Sequence, residues 1–306
     1  MTDLPRPPSG EQVEIAFGDQ EAVVVEVGGG LRTYSVAGRE LLDGYGPDEM
    51  STSGRGQVLI PWPNRIQDGS YEFEGERHQL AINDVAEQDA IHGLVRWTAW
   101  SVAEREPHRV VMQHDIHPQP GYPFSLAVSV EYALSERGLR VTTTAANAGT
   151  SSCPYGCGTH PYLAVGTATV DSVTLRVPAR TVLSSDDRGI PVGSQSVEGT
   201  EFDFRRPRPI GTTRLDNAFT DLERDDDGLA RVSLSDPQGG RLTLWVDEAY
   251  RYLMLFTGDP LPDVARRSLA VEPMTCPPNA FRTGEALIQL EPGGSVTSTW
   301  GIESGS

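Results

Sequence analysis

Lysine is absent: all 25 basic residues of the 306-residue chain are arginines. That excludes a Schiff base, a pyridoxal phosphate attachment and a Walker-type phosphate loop, each of which needs a lysine amine. Cysteine is scarce. Three residues are an odd number and too few for a disulfide framework. Positive charge is also short, with 43 Asp and Glu giving a formal net charge of -18. A field of that sign repels nucleic acid and anionic membrane surfaces, so neither is expected as a partner. No stretch approaches the roughly 18 apolar residues of a membrane span. The start, Met1-Thr2-Asp3-Leu4-Pro5, shows no apolar signal core behind a basic end. A soluble cytoplasmic protein is expected. With 32 Gly and 23 Pro as punctuation, long amphipathic helices have little room.

What the chain does contain is 38% hydrophobic residues, enough for a sizeable core, arranged with period two. Leu126, Val128, Val130, Tyr132 and Leu134 alternate, and after Ser135-Glu136-Arg137-Gly138 so do Leu139, Val141, Thr143 and Ala145. This predicts a hairpin with one buried face. Others are predicted at Ala22–Val27 with Leu31–Val36, at Tyr71–Phe73 turning through Glu74-Gly75, and at Val232–Leu234 with Leu242–Val246. Val296, Ser298, Trp300 and Ile302 alternate near the end. No linker, composition break or internal repeat divides the chain. The expectation is all-β: one domain over residues 1–306, a large antiparallel sandwich with few short helices.

Five segments carry polar groups that strand patterning does not explain. Pro61-Trp62-Pro63-Asn64-Arg65 sets fixed amide and guanidinium donors after two stiffening prolines. His92-Gly93, with Trp97 following, offers an imidazole and a flat apolar wall. In Gly158-Thr159-His160-Pro161-Tyr162, Pro161 restricts His160 to extended backbone, and an imidazole with a pKa near 6.5 exchanges protons at neutral pH. Asp216 heads the apolar segment Ala218-Phe219. Glu272 is read as ending the apolar strand Leu269-Ala270-Val271, fixed by Pro273, where partial desolvation makes a carboxylate a better base. Each segment also has a plain structural reading: a surface ion pair, an Asx-turn, a strand-end acid facing water. His78, His108, His114 and His117 are read as surface residues. Cys153, Cys157 and His160 suggest zinc only briefly, because Cys276 has no partner ligand in sequence; no metal is expected.

Taken in order, these segments resemble the aldose 1-epimerase (mutarotase) family from about Gly54 to Pro292. The resemblance rests on Asn64-Arg65-Ile66 with Gly69, Phe73 and Gly75, then His92-Gly93, Thr159-His160-Pro161-Tyr162, Asp216 with Phe219, and Glu272-Pro273. It implies a galactose mutarotase-type β-sandwich, Glu272 as general base and His160 as general acid. It implies substrate oxygens held by Arg65, His92 and Asp216, with Asn64 beside them. It implies an aldohexose such as glucose or galactose as the partner and no cofactor. The chain departs from the family at Leu163-Ala164, where Phe-Asn is common, and at Met274, where Gln is frequent; both bear on sugar preference. Alternatives from the residues are a glycosidase using Asp216 with Glu272, a hexose-6-phosphate 1-epimerase using Arg55, Arg65 and Arg96, and a non-catalytic sugar-binding module keeping Trp62 and Trp97. Sheet edges permit a monomer or a homodimer.

Overall fold

The alternation at Leu126–Leu134 becomes one strand of an antiparallel pair, Leu126–Ser135 with Gly138–Asn147, in which every second side chain is buried. The structure is a computed structural model that describes residues 6–305, so the reading at Met1–Pro5 lies outside the described residues. The predicted hairpins form at Gln20–Val25 with Leu31–Val36, Ser70–Phe73 with Glu76–Gln79, and Ala230–Ser235 with Arg241–Val246. Ser295–Gly305 joins Gly138–Asn147 to Arg241–Val246 and closes the centre of a nine-stranded sheet. The helical content among the described residues is one short α-helix, Ala280–Thr283, and two 3-10 turns. None is long and apolar enough to cross a membrane.

A second sheet of eight strands includes Asp216–Leu222, Tyr252–Phe256, Leu269–Met274, Gly158–Thr159 and Val58–Leu59. Tyr162–Leu163 pairs with the far end of Leu269–Met274. Side chains from both sheets share one buried cluster: Tyr132, Val141, Leu244 and Trp300 from the first, Leu253, Leu255, Leu269 and Val271 from the second. Their burial is the main driving force of the fold.

Strand parity then places the polar residues. Leu253, Leu255, Leu269 and Val271 face the core, so Met254, Phe256 and Glu272 face the other way. Register aligns Met254 with Glu272 and with Ala218, and Phe256 with Asp216. Asp216 and Glu272 therefore stand on one face of the sheet, on strands that flank Tyr252–Phe256. One expectation needs correction: Glu272 does not end its strand. Pairing continues through Pro273 to Met274.

Candidate active site

Asn64 and His92 are brought together by a short pair of strands, Arg65 and Ile66 against Ile91 and Ala90. The His92 backbone N–H donates to the Asn64 carbonyl at 2.9 Å, and the Asn64 N–H donates to His92 Nδ1 at 3.2 Å. Because Nδ1 accepts, the neutral ring carries its proton on Nε2. Arg65 reaches Asp84 Oδ2 from its Nε at 3.0 Å.

His160 follows the strand Gly158–Thr159. Its N–H donates to the Gln57 carbonyl and its own carbonyl accepts from the Gly56 N–H. Its ring lies flat on Tyr162, 4.9 Å between centroids and 7° between planes. The Tyr162 hydroxyl donates to the Ser53 carbonyl at 2.9 Å, and the Arg55 guanidinium sits 4.3 Å from the same ring centroid. Gly54 covers the imidazole: a Cβ there would stand 2.5 Å from His160 Cδ2, and φ is +80°. Only glycine fits that approach and that backbone.

His160 Nε2 lies 3.3 Å from Glu272 Oε1, and the His92 ring meets the His160 ring edge-on at 5.4 Å. Glu272 is 2% exposed. Glu272 Oε2 and His160 Nδ1 are buried without a partner in the protein. Burial pushes the Glu272 carboxyl well above its usual range; Asp216 adds to the shift and Arg65 opposes it. Burial pushes His160 the other way, down to about 3, with the charges of Arg96 and Arg55 adding to the effect. His92 is held well below the usual imidazole range by burial, with His160, Arg96 and Arg65 contributing. These directions favour neutral imidazoles and, for a proton shared by His160 and Glu272, its place on the carboxylate.

These groups line one cavity of about 430 Å³, open to solvent. It brings together all six residues singled out in the sequence: Asn64, Arg65, His92, His160, Asp216 and Glu272. Met254, Phe256 and Leu261 supply an apolar part of its wall, and Trp97 stands on it 55% exposed. Among the described residues, His92, His160 and Glu272 present ligand atoms within 4.8 Å of one another and could hold a metal ion.

Several residues fall elsewhere. Trp62 is buried against Phe281 in the core and gives no sugar platform. Asn279 and Arg282 lie behind Arg65: the Asn279 N–H donates to the Arg65 carbonyl, and Arg282 pairs with Asp68. The three thiols are free and buried, and burial raises Cys157 and takes Cys276 to about 12, so they pack as small apolar groups. Of the four histidines read as surface residues, His117 is exposed. His78 packs on Tyr71, and His114 stacks on Trp100. Sequence reasoning missed Gly54 as the cover over His160, Asp84 as the partner of Arg65, and Met254 with Phe256 as cavity wall. Nothing in the sequence around Asp84 or Gly54 signals these contacts. In Tyr252–Phe256 both faces are apolar, which hides the parity.

Comparison with known proteins bears on the family and the fold. A family model described as Aldose 1-epimerase matches residues 11–303. The Escherichia coli protein named Uncharacterized protein YihR is 36% identical over 286 residues, 93% of this chain and 90% of its own length. Human galactose mutarotase is 30% identical over 168 residues, 51% of this chain and 46% of its own. Among solved structures, an aldose epimerase homologue from C. elegans superposes with a TM-score of 0.86 at 19% identity, covering 96% of this chain and 98% of that one. Galactose 1-epimerase from Lactobacillus acidophilus gives 0.82 at 20%, covering 96% and 95%. At these identities the two structures speak to the fold alone, which is that of the galactose mutarotase-like proteins.

Proposed function

The chain belongs to the aldose 1-epimerase family, and from that premise and the cavity's geometry we propose that it interconverts the α and β anomers of an aldohexopyranose through the open-chain aldehyde. The observation that carries the proposal is the buried contact of 3.3 Å between His160 Nε2 and Glu272 Oε1. Ring opening needs one group to take a proton from the anomeric hydroxyl and another to give one to the ring oxygen. The shared proton first passes from Glu272 to His160 across their contact; Glu272 then takes the O1 proton, the O–H electrons form the C1=O1 double bond, the C1–O5 bond breaks, and the His160 imidazolium delivers its proton to O5. Rotation about C1–C2 presents the other face of the aldehyde, and the same transfers run in reverse. After opening, the proton is on Glu272 and His160 is neutral. That distribution is the one burial favours, so the electrostatics support the ring-opened stage.

The remaining residues hold hydroxyls. His92 Nε2–H and Arg65 donate, Asp216 accepts, Asn64 fixes the first two in place, and Trp97 lies against an apolar face of the ring. An imidazole beside Glu272 supports epimerisation over hydrolysis, which would leave His160 idle.

Polarimetry on freshly dissolved α-D-glucose and α-D-galactose, with and without the protein, tests the proposal. Anomer exchange faster than the spontaneous rate, lost in Glu272→Gln, is expected. Sugar binding without acceleration of any aldose would replace it with a binding module.

A further inference from the structure

Three arginines surround the cavity, and two are neutralised. Arg65 bonds Asp84 at 3.0 Å and Arg55 reaches Asp43 at 3.3 Å. Arg96, on the cavity wall, has no carboxylate within ion-pair distance among the described residues. Its Nη1 donates to Gln57 Oε1 and its Nη2 to the Ile91 carbonyl, each at 3.3 Å, and its Nε is buried with no partner. Asp84, whose charge reaches it, is the residue Arg65 already holds. Two long bonds to neutral acceptors and the Trp97 ring face 5.6 Å away supply no counter-charge, and a partly desolvated charge without one is costly. With 43 acids to 25 bases, this chain has carboxylates to spare. Leaving this one cation without an acid, inside the cavity that holds His160 and Glu272, reserves it for a ligand.

We propose that the aldose turned over here carries a singly charged acid group on its exocyclic carbon, C6, and that Arg96 binds that group. The inference rests on the mutarotase reading of the same site. One unpaired guanidinium matches one negative charge. Asp216, without an arginine in ion-pair contact among the described residues, lines the same cavity and opposes a second. The planar fork suits a carboxylate or one face of a sulfo group. The position follows from the histidines. Arg96 bonds the carbonyl of Ile91, the residue before His92, whose ring meets that of His160, so it lies on the imidazole side of the cavity. In the proposed reaction His160 faces the ring oxygen, and C6 is bonded to the carbon beside that oxygen. The anomeric hydroxyl, directed at Glu272, is left free for chemistry.

The test compares anomer exchange of D-glucose, D-glucuronate, D-glucose 6-sulfate and D-glucose 6-phosphate by exchange NMR spectroscopy. For at least one of the two monoanions, kcat/KM should exceed that of glucose by about tenfold or more, mainly through KM, and the advantage should shrink with added salt. In Arg96→Gln the charged-to-neutral ratio of kcat/KM should fall about tenfold or more, and Arg96→Lys should keep part of it. Equal turnover of glucose and both monoanions by the unaltered protein overturns the inference, even if the variants fail to fold. An unchanged ratio in Arg96→Gln does the same. Preference for the doubly charged phosphate overturns the assignment of a single charge. Acceleration of glucose with no gain from an acid group leaves the mutarotase reading standing. No acceleration of any aldose removes that reading, and this inference with it.

Discussion

Asn64 and His92 fasten one another through reciprocal bonds, His92 N–H to the Asn64 carbonyl and Asn64 N–H to His92 Nδ1, with both residues in the left-handed backbone region at φ +53° and +64°. Left-handed backbone is uncommon outside glycine and marks a position held by its surroundings. Here the bonds fix the ring orientation and the tautomer, so that Nε2–H is the free donor. His92→Leu should leave the buried Asn64 N–H without an acceptor. Stability should fall by about 1–3 kcal/mol in urea unfolding, and KM for the sugar should rise more than kcat falls. An unchanged KM would show that His92 holds the loop without touching substrate.

Glu272→Gln and His160→Gln each remove one proton carrier while keeping shape. Each should lower kcat by about 10²–10⁴-fold. Affinity for the sugar, measured by calorimetry, should stay within a few-fold. Near-normal kcat in either variant would remove that residue from the proton transfers.

The pH dependence of the rate follows from the pair as a unit. The working site carries one proton between His160 and Glu272. His160 is pushed down to about 3, so a second proton is refused until well below the ordinary imidazole range. The kcat/KM profile should therefore run level through pH 6.5 and decline only in more acid solution. A limb centred near 6.5 would mean that His160 titrates as a free imidazole.

Stability has its own pH signature. His160 has a folded pKa below its unfolded one, so the unfolded chain binds the extra proton as pH falls from about 6.5, at about 1.4 kcal/mol per pH unit. Glu272 acts with the opposite sign. Its folded pKa is raised, so it costs stability as pH rises above the ordinary carboxylate range. Removing His160 isolates its share. Between pH 7 and 5 the unaltered protein should lose about 2 kcal/mol relative to His160→Gln. Parallel unfolding curves for the two proteins at both pH values would contradict burial of a neutral His160.

Gly54→Ala puts a methyl 2.5 Å from His160 Cδ2 on a backbone at φ +80°. The left-handed backbone alone costs about 1–2 kcal/mol. The clash must turn the imidazole away from Glu272. The variant should fold with a lowered melting temperature and lose about tenfold or more in kcat, since a small misplacement of a catalytic group is expensive. Full activity would mean that the ring has room to move without consequence.

Arg188 reaches from the hairpin of Ala179–Ser185 and Pro191–Ser196 to Asp89 at 2.5 Å and Asp68 at 2.9 Å. Asp89 is fully buried and its Oδ2 has no partner. Arg188→Ala leaves that carboxylate with the Asp68 N–H as its remaining bond. A loss of about 2–4 kcal/mol is expected in urea unfolding. A change under 1 kcal/mol would show that Asp89 finds water instead.

The sequence by itself determined the strands, the hairpin turns and the five polar segments. Alternation is a local property: a residue's partner in a hairpin lies a few positions away, and its parity decides which side meets water. The order of His92, His160, Asp216 and Glu272 along the chain was enough to nominate them together. Only the tertiary structure decided how they meet. Glu272 sits in mid-strand because Leu269–Met274 pairs over its whole length with Tyr252–Phe256. Trp62 is in the core because the helix bearing Phe281 packs against it. Arg65 and Arg55 found carboxylates and Arg96 did not, although nothing in the sequence distinguishes the three. Charge neutralisation depends on which side chains converge in space, Asp43 with both Arg55 and Arg267 across the chain. Strand order, not residue spacing, fixes that convergence.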